Sequence, residues 1–333
     1  MTDITSTLEA ARRGDHGAFE ALTRPHLREL HVHCYRMLGS VDDADEALQQ
    51  TLIAAWRGIA DFEGRSSPRT WLYRIATHRC LNAIRDGKRR PPPVPEPPFP
   101  PPAANGSVDV GWLQPYPDAL LDADPARRAQ TRESVALAFV SALQTLSPRQ
   151  TAALLLCDVL GFTSAETADM LDTTATAVKG LLQRARASTP PPATPADAGE
   201  ESLARRFAAA FTADDVDAVV DLLTDDAWLT MPPADEEYRG RAAIAGMLAA
   251  SAAARDGRRF ILRATRANRQ PAFACYRRDP ERPIAHGTGV IVLTIERGRV
   301  AGITRFLGRR LHERFGMPAY IDAASKPADG ELL

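Results

Sequence analysis

Basic and aromatic residues are interleaved between positions 62 and 90. This segment holds eight Lys or Arg residues against two acids, and such a stripe of positive charge is typical of a surface that binds phosphate. Trp71 and Tyr73 follow a Gly/Ser/Pro loop, where an aromatic ring can stack on an unpaired base. The candidate residues for capture of a single strand are Arg65, Ser66, Ser67, Trp71, Arg74, His78 and Arg79. One alternative stays open, because a large aromatic residue such as Trp71 is usually buried and would then belong to the core.

A second nucleic-acid motif is predicted in residues 146–187. Ser147 is placed to cap a first helix and Ser164 to begin a short second one, and a tight turn at Asp172 leads into a third. Apolar residues recur on one side of the third helix, which leaves its other face to Thr174, Thr176, Lys179, Gln183, Arg184 and Arg186. In a helix-turn-helix such a face enters the major groove, where Lys and Arg neutralise phosphates and Gln and Thr reach base edges. The alternative is a helical hairpin in a bundle, with a solvated basic face.

An acidic helix is predicted just before the basic segment, over residues 40–56. The acids of its first turn suit the positive end of a helix dipole, and the same acidic, Gln-containing surface could hold a basic protein partner. The candidates for such a contact are Asp42, Asp45, Glu46, Gln49, Gln50 and Trp56. The nearby sequence His-Val-His-Cys at positions 31–34 does not bring three ligands onto one face of a helix. No metal site is therefore expected.

Composition narrows the class of protein. The net charge of −1 over 333 residues argues against a uniformly basic nucleic-acid binder. The four cysteines are scattered without a CxxC pair, which fits free thiols in a reducing compartment. No apolar run resembles a signal peptide or is long enough to span a bilayer. The sequence therefore predicts a soluble, cytoplasmic protein with no cofactor.

Two Pro-rich segments divide the chain, because proline disrupts helices and central strands and favours extended, exposed backbone. The last third differs from the rest: helical patterns near residues 202–211, 217–223 and 240–254 precede strand-like runs at 260–267, 273–277, 290–295 and 300–307. This order predicts helices packed on one face of a curved antiparallel sheet. The predicted organisation is an all-α helical domain at 1–90, a Pro-rich linker at 91–124, an all-α helix-turn-helix domain at 125–187, a linker at 188–200, an α+β domain at 201–320 and a flexible tail at 321–333.

The two helical blocks resemble the extracytoplasmic-function (ECF) branch of the bacterial sigma-70 family. The matching stretches are HCYRMLGSVDDADEALQQTLIAAW, FEGRSSPRTWLYRIATHRCLNAIR and LSPRQTAALLLCDVLGFTSAETADMLDTTATAVKGLLQRARA, in the family's order and spacing. The resemblance implies a transcription initiation factor that binds core RNA polymerase through its β′ and β subunits, recognises a promoter and assists melting of the DNA. It implies no membrane contact and no enzymatic activity.

The same resemblance assigns roles to the candidate residues. The acidic helix would dock on the clamp helices of the β′ subunit, the loop at 62–67 and the helix from Trp71 would melt and read the −10 element, and the helix at 174–186 would read the −35 element. The proline tract would then separate two modules that engage distant segments of one promoter. His78 stands where the family often has Asn, which affects base preference or melting.

The C-terminal third resembles the SnoaL-like cone fold of small polyketide cyclases and steroid isomerases, a domain that some sigma factors carry and that is thought to regulate them. A cone of this kind encloses a cavity, and the candidates to line it are Trp228, Met231, Phe260, Phe273, Tyr276, His286 and Arg305. General acid–base chemistry by Asp225 or Asp226 with His286 is one hypothesis. The competing interpretation makes His286 structural and the cavity a regulatory ligand pocket, or the domain an intramolecular clamp.

Two other classes of protein remain as alternatives. One is a cone-fold isomerase or hydrolase with an N-terminal DNA-targeting module. The other is a conventional transcription regulator that binds duplex DNA without polymerase.

Overall fold

A computed structural model describes residues 4–87, 99–108, 110–121, 134–188, 199–308 and 310–323. The chain forms two compact units. The first comprises Met1–Arg90, Leu120–Val135 and Phe139–Pro191, and the second comprises Pro91–Ala119, Ala136–Ala138 and Pro192–Leu333. Within the described ranges, no helix is both long and apolar enough to cross a membrane.

The first unit begins with five helices: α1 (Ile4–Arg12), α2 (His16–Thr23), α3 (Leu27–Leu38), α4 (Val41–Gly58) and α5 (Pro68–Arg85). Local sequence signals set their ends. Gly39 adopts a left-handed φ of 76° and ends α3. The Ser40 hydroxyl accepts a hydrogen bond from the Asp43 N–H at 3.1 Å and caps α4. Ser67 caps α5 in the same way, and Pro68 occupies the first helical position.

Four further helices lie among the described residues of this unit, the first of them beginning in residues 136–138 of the second: α6 (Leu137–Thr145), α7 (Pro148–Leu154, followed by a π-helical turn at Leu155–Val159), α8 (Ser164–Met170) and α9 (Ala175–Ser188). Helices α8 and α9 form the predicted helix-turn-helix. Ser147 caps α7 as expected, in a capping box with Gln150. Helix α8 begins at Ser164 as predicted, and its cap is Thr163, which forms a capping box with Glu166.

Helix α3 is buried along its C-terminal half and ties the early helices to the later ones. The Arg36 side chain, only 4% exposed, donates from Nε to the Ser134 carbonyl at 2.9 Å and from its terminal nitrogen to the Ser134 hydroxyl at 2.5 Å. Gln144 of α6 donates in turn to the Arg36 carbonyl at 3.0 Å. Charged donors make the stronger hydrogen bonds in a protein interior. Arg36 therefore connects α3 to the segment that leads into α6.

The second unit contains four helices among its described residues: α10 (Glu200–Ala213), α11 (Val216–Asp221), α12 (Arg241–Ala253) and α13 (Arg310–Arg314). Its strands are β1 (Gly106–Ser107), β2 (Leu223–Thr230), β3 (Glu236–Arg239), β4 (Phe260–Ala267), β5 (Gln270–Arg278), β6 (Ile284–Glu296), β7 (Arg299–Leu307) and β8 (Tyr320–Asp322). They form one sheet in the order β1-β3-β2-β7-β6-β5-β4, with β8 paired to β6.

The predicted α+β fold is confirmed, with differences in its strands and their pairing. Strands β1, β2, β3 and β8 were not predicted: the acids of β2 interrupt its apolar alternation, and β8 runs into the segment predicted as a flexible tail. The pairing of β2 with β7 is parallel, whereas the sequence predicted an antiparallel sheet. Helix α10 packs on β4 and β5 through a ladder of aromatic rings, in which Phe207 lies 5.6 Å from Phe211 and 6.4 Å from Phe273.

The described part of the predicted linker at 91–124 is folded onto the sheet of the second unit up to residue 119. Strand β1 adds antiparallel to the edge strand β3. The Asn105 side chain donates to the Arg239 carbonyl at 2.9 Å and accepts from the Arg239 N–H at 2.7 Å. Tyr116 is fully buried, and its backbone exchanges two hydrogen bonds of 2.8 Å with Asn268. Proline excludes this segment from helices, but an extended segment can still pair with an exposed sheet edge.

A buried histidine makes the first unit sensitive to acid. His33 is fully buried, and its Nε2 lies 2.9 Å from the Thr77 hydroxyl. Burial, together with the positive charges of Arg36 and Arg69, lowers the pKa of His33 to about 3. The unfolded chain takes up a proton at this residue below its ordinary pKa of 6.5, while the folded chain does not do so until about 3. Stability should therefore be lost as the pH falls below 6.5.

We predict that replacing His33 by Gln removes this dependence. Between pH 6.5 and about pH 5, the native chain should lose about 2 kcal/mol more unfolding free energy than the His33→Gln variant, because each unit of pKa difference corresponds to about 1.4 kcal/mol. The measurement is urea unfolding followed by far-UV circular dichroism at several pH values. Parallel pH dependences of the two proteins would contradict the prediction.

Candidate nucleic-acid interface

Helix α9 presents the polar face that the sequence predicted. Val178, Leu182 and Ala185 are buried at helical spacing, and the six candidates, Thr174, Thr176, Lys179, Gln183, Arg184 and Arg186, are exposed. Their local roles differ. The Thr174 hydroxyl accepts from the Ala177 N–H at 3.2 Å and thereby caps the helix. Arg186 makes a bidentate ion pair with Asp158, at 2.9 and 2.7 Å.

Lys179 and Arg184 have no ion-pair partner among the residues that the structure describes. They lie on the exposed face of α9 with Gln183. Two unpaired cations and an amide along one helix face match what major-groove binding needs: charge for phosphates and a bidentate group for a base edge.

On helix α5, two of the candidates contact the turn before α9. Arg74 donates to the Asp172 carboxylate at 2.8 Å, and the His78 Nε2 lies 2.7 Å from the Met170 carbonyl oxygen. Asp172 has a φ of 47°, a left-handed conformation that Asp and Asn tolerate better than most residues. Two candidate DNA-binding side chains of α5 are therefore held by the helix-turn-helix, at Asp172 and at the Met170 carbonyl.

The remaining α5 candidates divide between solvent and core. Arg65, Ser66 and Arg79 are exposed, and Arg65 pairs with Glu63 at 2.8 Å. The Ser67 hydroxyl caps α5. Trp71 is half-buried, and its ring stacks on Phe62 with the centroids 4.6 Å apart. It belongs to a small apolar cluster with Leu22 and Ile59, which is the core placement that the sequence left open.

Tyr73 is not available to a base in this structure. Its side chain is fully buried and lies edge-to-face against His33 and Phe162, at 5.2 and 5.5 Å between ring centroids. The Arg69 guanidinium covers the same ring at 4.8 Å. Burial raises the pKa of Tyr73 well above its ordinary value. The aromatic character of this segment thus serves packing at Tyr73.

Helix α4 exposes the predicted acidic surface. Asp42, Asp45, Glu46, Gln49 and Gln50 are all exposed. The Asp45 carboxylate lies 2.9 Å from His31 Nε2. Trp56 is half-buried instead, because its ring stacks on His16 of α2 at 4.2 Å. The polar part of the candidate protein-binding surface is therefore exposed. Trp56 instead packs between α4 and α2.

The second unit encloses a cavity of about 680 Å³. Four of the predicted pocket residues line it: Met231, Phe260, His286 and Arg305. The other three lie elsewhere. Phe273 stacks on Phe207 inside the core, the Tyr276 hydroxyl donates to the Pro318 carbonyl, and the Trp228 ring lies against Gly302, where a Cβ would approach it to 2.3 Å.

The predicted acid–base partners of His286 are not beside it. Asp225 is 93% exposed and pairs with Arg241 at 3.2 Å, and Asp226 is exposed as well. His286 Nε2 lies instead 3.0 Å from the Asp279 carboxylate. Asp279 also accepts backbone hydrogen bonds from Glu281 and Arg282, which lower its pKa together with the contact to His286. The Asp279 carboxylate thus fixes the loop of residues 279–282 and holds it against His286.

Three family models match the chain: Sigma-70 region 2 over residues 22–90, Sigma-70 region 4 over residues 136–188, and the SnoaL-like domain over residues 204–303. The ECF RNA polymerase sigma factor SigG of Mycobacterium tuberculosis is 43% identical over 324 residues, which cover 92% of this chain and 85% of that protein. The chain belongs to the ECF RNA polymerase sigma factors. As a sigma factor it binds core RNA polymerase and promoter DNA and directs initiation at specific promoters.

Two further comparisons agree with this family. SigM of the same bacterium is 32% identical over 180 residues, which cover 54% of this chain and 79% of that protein. The crystal structure of the M. tuberculosis sigma factor SigJ superposes with a TM-score of 0.60 at 21% identity, over 92% of this chain and all of that one. The SigJ comparison supports the fold, including the helices of the sigma regions and the C-terminal sheet.

Sequence reasoning missed several residues of these sites in the sigma factor. Asp172 was placed in a turn but not opposite Arg74, and Asp279 was not linked to His286. Asn105, which pairs with β3, lies within a segment that composition marked as a linker. Only the Asp-Pro at 279–280 was a local signal, since Asp before Pro favours a turn; the other pairings join residues far apart in the sequence.

We predict that the Asp172→Asn substitution exposes the α5 candidates without unfolding the sigma factor. Asn keeps the left-handed turn but removes the charge that holds Arg74. The pair is about half exposed on both sides, so the cost in stability should stay below about 1 kcal/mol. In complex with core polymerase, the variant should bind fork-junction promoter DNA faster than the native protein.

Asp169→Asn is the matched control, because Asp169 is an exposed acid of the same helix-turn-helix. Stopped-flow fluorescence with labelled DNA measures the rates. Equal acceleration by both variants would indicate a nonspecific effect of charge and would reject the role of the Asp172 contact.

Proposed function

We propose that this ECF sigma factor uses three of its surfaces in initiation and that its SnoaL-like domain regulates them. The acidic face of α4 docks on the β′ subunit of core polymerase, α5 and the loop before it engage the melted −10 element, and the exposed face of α9 engages the −35 element as duplex. The β subunit completes the contact with core polymerase. Since polymerase and promoter DNA are its partners, it acts in the cytoplasm.

The observation that carries this proposal is the contact of Arg74 and His78 with the turn before α9. The −10 and −35 elements are separated by roughly two turns of duplex, about 70 Å. While Arg74 and His78 are held against Asp172 and the Met170 carbonyl, α5 and the helix-turn-helix that carries α9 lie too close together to reach both elements at once. The first unit is therefore a closed form, and we infer that α5 and α9 separate when the factor enters the initiation complex.

Regulation by the C-terminal domain follows from the segment between the two sigma regions. Residues 99–108 and 110–119 are hydrogen-bonded to the sheet of the second unit, yet in sequence they join region 2 to region 4. As long as they stay on the sheet, the reach of the chain between the two regions is shortened. Holding or releasing this segment is thus a means by which the SnoaL-like domain limits opening.

An enzymatic role for the cavity is the second candidate function, and the contact of His286 with Asp279 at its wall favours it. The carboxylate, however, is engaged by two backbone N–H groups of its own loop. We infer that the pair is structural and that the sigma factor performs no chemistry of its own.

Run-off transcription with purified core polymerase tests the proposed function. On a library of genomic fragments, the full chain should direct initiation at a defined set of start sites, mapped by the 5′ ends of the transcripts. A chain that binds DNA but leaves core polymerase unstimulated would be a conventional regulator, and the proposal would fail.

The assignment of α9 is tested by salt dependence. Lys179→Ala and Arg184→Ala should each weaken binding to −35 duplex and reduce the slope of log affinity against log salt by about 1, because each removes one phosphate contact. Arg186→Ala should change the slope less, since Asp158 already holds that side chain. Arg205→Ala, at an exposed position of α10, is the control. An unchanged slope for Lys179→Ala and Arg184→Ala would remove α9 from the interface.

The role of the sheet-bound segment is tested by Asn105→Ala. Loss of two side-chain hydrogen bonds should cost about 1–3 kcal/mol of local stability, seen as faster hydrogen exchange at residues 99–108. Run-off transcription should rise with it. Ser107→Ala, at an exposed site in the same strand, should change neither. Faster exchange without a change in transcription would refute regulation through this segment.

A further inference from the structure

The cavity of the SnoaL-like domain combines an apolar wall with an excess of positive charge. Its volume of about 680 Å³ lies within the range of small-molecule sites, which is about 300–1,000 Å³. Met231, Met247, Phe260 and Leu307 contribute apolar surface. The charged side chains of its wall are five arginines and only two acids, Arg255, Arg258, Arg277, Arg278, Arg305, Glu236 and Asp279.

Two acids do not balance the charge of five arginines. The Asp279 carboxylate contacts His286 and two backbone N–H groups rather than an arginine of the wall, and Glu236 is exposed on strand β3. Of the arginines, Arg255 has an acidic partner, Asp214, which does not line the cavity. A net positive surface therefore remains inside a largely apolar enclosure.

Two arginines converge on one aromatic ring. The guanidinium carbons of Arg255 and Arg305 lie 4.6 and 4.7 Å from the centroid of Phe260. In both side chains the Nε is enclosed and has no hydrogen-bond partner among the described residues, and Arg255 is only 8% exposed. A buried donor without an acceptor costs free energy, the more so when it carries charge.

Burial also lowers the pKa of Arg305, with the positive charges of Arg255 and Arg277 acting in the same direction. The protein thus holds a desolvated cation at the wall of an apolar cavity. An anion placed between these guanidinium groups would supply the missing acceptor, and arginine is the side chain best suited to bind a carboxylate through two parallel hydrogen bonds.

We propose that this cavity is a binding site for an amphipathic organic acid, whose carboxylate sits on Arg305 and Arg255 and whose apolar body fills the space beside Met231 and Met247. The apolar side chains beside the two guanidinium groups fit a hydrocarbon body better than the hydroxylated ribose of a nucleotide. The described residues also contain no group of three or more acids, histidines or cysteines that could hold a metal ion. A monoanionic head on an apolar body is the chemistry that matches both halves of the lining.

The site reaches the segment between the sigma regions. Phe99 and Pro101 form part of the cavity wall, and the Tyr238 hydroxyl donates to the Pro102 carbonyl at 3.0 Å. An acid in the cavity therefore contacts the segment that is held on the sheet, and its binding should slow hydrogen exchange at residues 99–108. This link to regulation rests on the proposed function, whereas binding of the acid itself does not.

The test uses the full chain with 1-pyrenebutyric acid, a fluorescent amphipathic acid, and with 1-pyrenebutanol, which has the same body without the charge. The acid should bind at least tenfold more tightly than the alcohol. Arg305→Met should weaken binding of the acid by about tenfold to a hundredfold and leave the affinity for the alcohol unchanged. Arg205→Met, at an exposed position of α10, should behave as the native chain does.

A thermal measurement separates this role from a structural one. Because Met removes an unpaired buried cation, Arg305→Met should melt at the same temperature as the native chain or above it, and should lose the rise in melting temperature that the acid gives the native protein. Equal affinity of the native chain for acid and alcohol, or an undiminished response of Arg305→Met to the acid, would overturn the proposal. Neither measurement needs polymerase, so a failure of the proposed sigma-factor mechanism would leave both results interpretable.

Discussion

Hydrogen bonds hold residues 99–108 and 110–119 on the C-terminal sheet, and these bonds limit how far the chain between region 2 and region 4 can extend. Asn105 imitates a backbone partner for Arg239, and Asn268 fixes the backbone of Tyr116. This segment is the covalent connection between region 2 and region 4, so it cannot act as a free tether while it is part of another domain's sheet. Under the proposed function, the appended domain acts on the two DNA-binding regions through the chain that joins them.

Inside the first unit, strong and weak contacts have different positions. The exposed pair of Arg74 with Asp172 contributes little, about 0–1 kcal/mol, whereas the buried hydrogen bonds of Arg36 to Ser134 are worth about 1.5–3 kcal/mol each, as expected for a charged donor. Breaking the Arg74–Asp172 pair thus requires little free energy, whereas breaking the hydrogen bonds of Arg36 requires more. If α5 and α9 separate as proposed, binding of polymerase and promoter has to supply that free energy, which would couple the separation to assembly of the initiation complex.

The sequence predicted what depends on local pattern and failed where contacts are distant. The helix-turn-helix, the cap at Ser147 and the buried face of α9 follow from the local sequence. Most of the proline tract lies outside the described residues. Composition could not reveal that its described end pairs with β3, since that pairing depends on a strand more than a hundred residues away. The residues predicted to line the cavity likewise included both faces of strand β5. Phe273 packs in the core against the helices, and Tyr276 packs on the opposite face of the strand. Side chains three residues apart in a strand lie on opposite faces.

The cavity also shows why a likeness to cyclases and isomerases does not determine chemistry. In this cavity the Asp279 carboxylate contacts His286 and also accepts two backbone hydrogen bonds of its own loop, and neither of the predicted acids, Asp225 and Asp226, lines the wall. What the cavity retains instead is unpaired positive charge at Arg305, which destabilises the empty domain and gains most from an anion. If an acid binds there as proposed, its occupancy reaches the inter-region segment directly, because Phe99 and Pro101 form part of the cavity wall. The same desolvated charge that is a cost in isolation is therefore what would make the domain sensitive to a ligand.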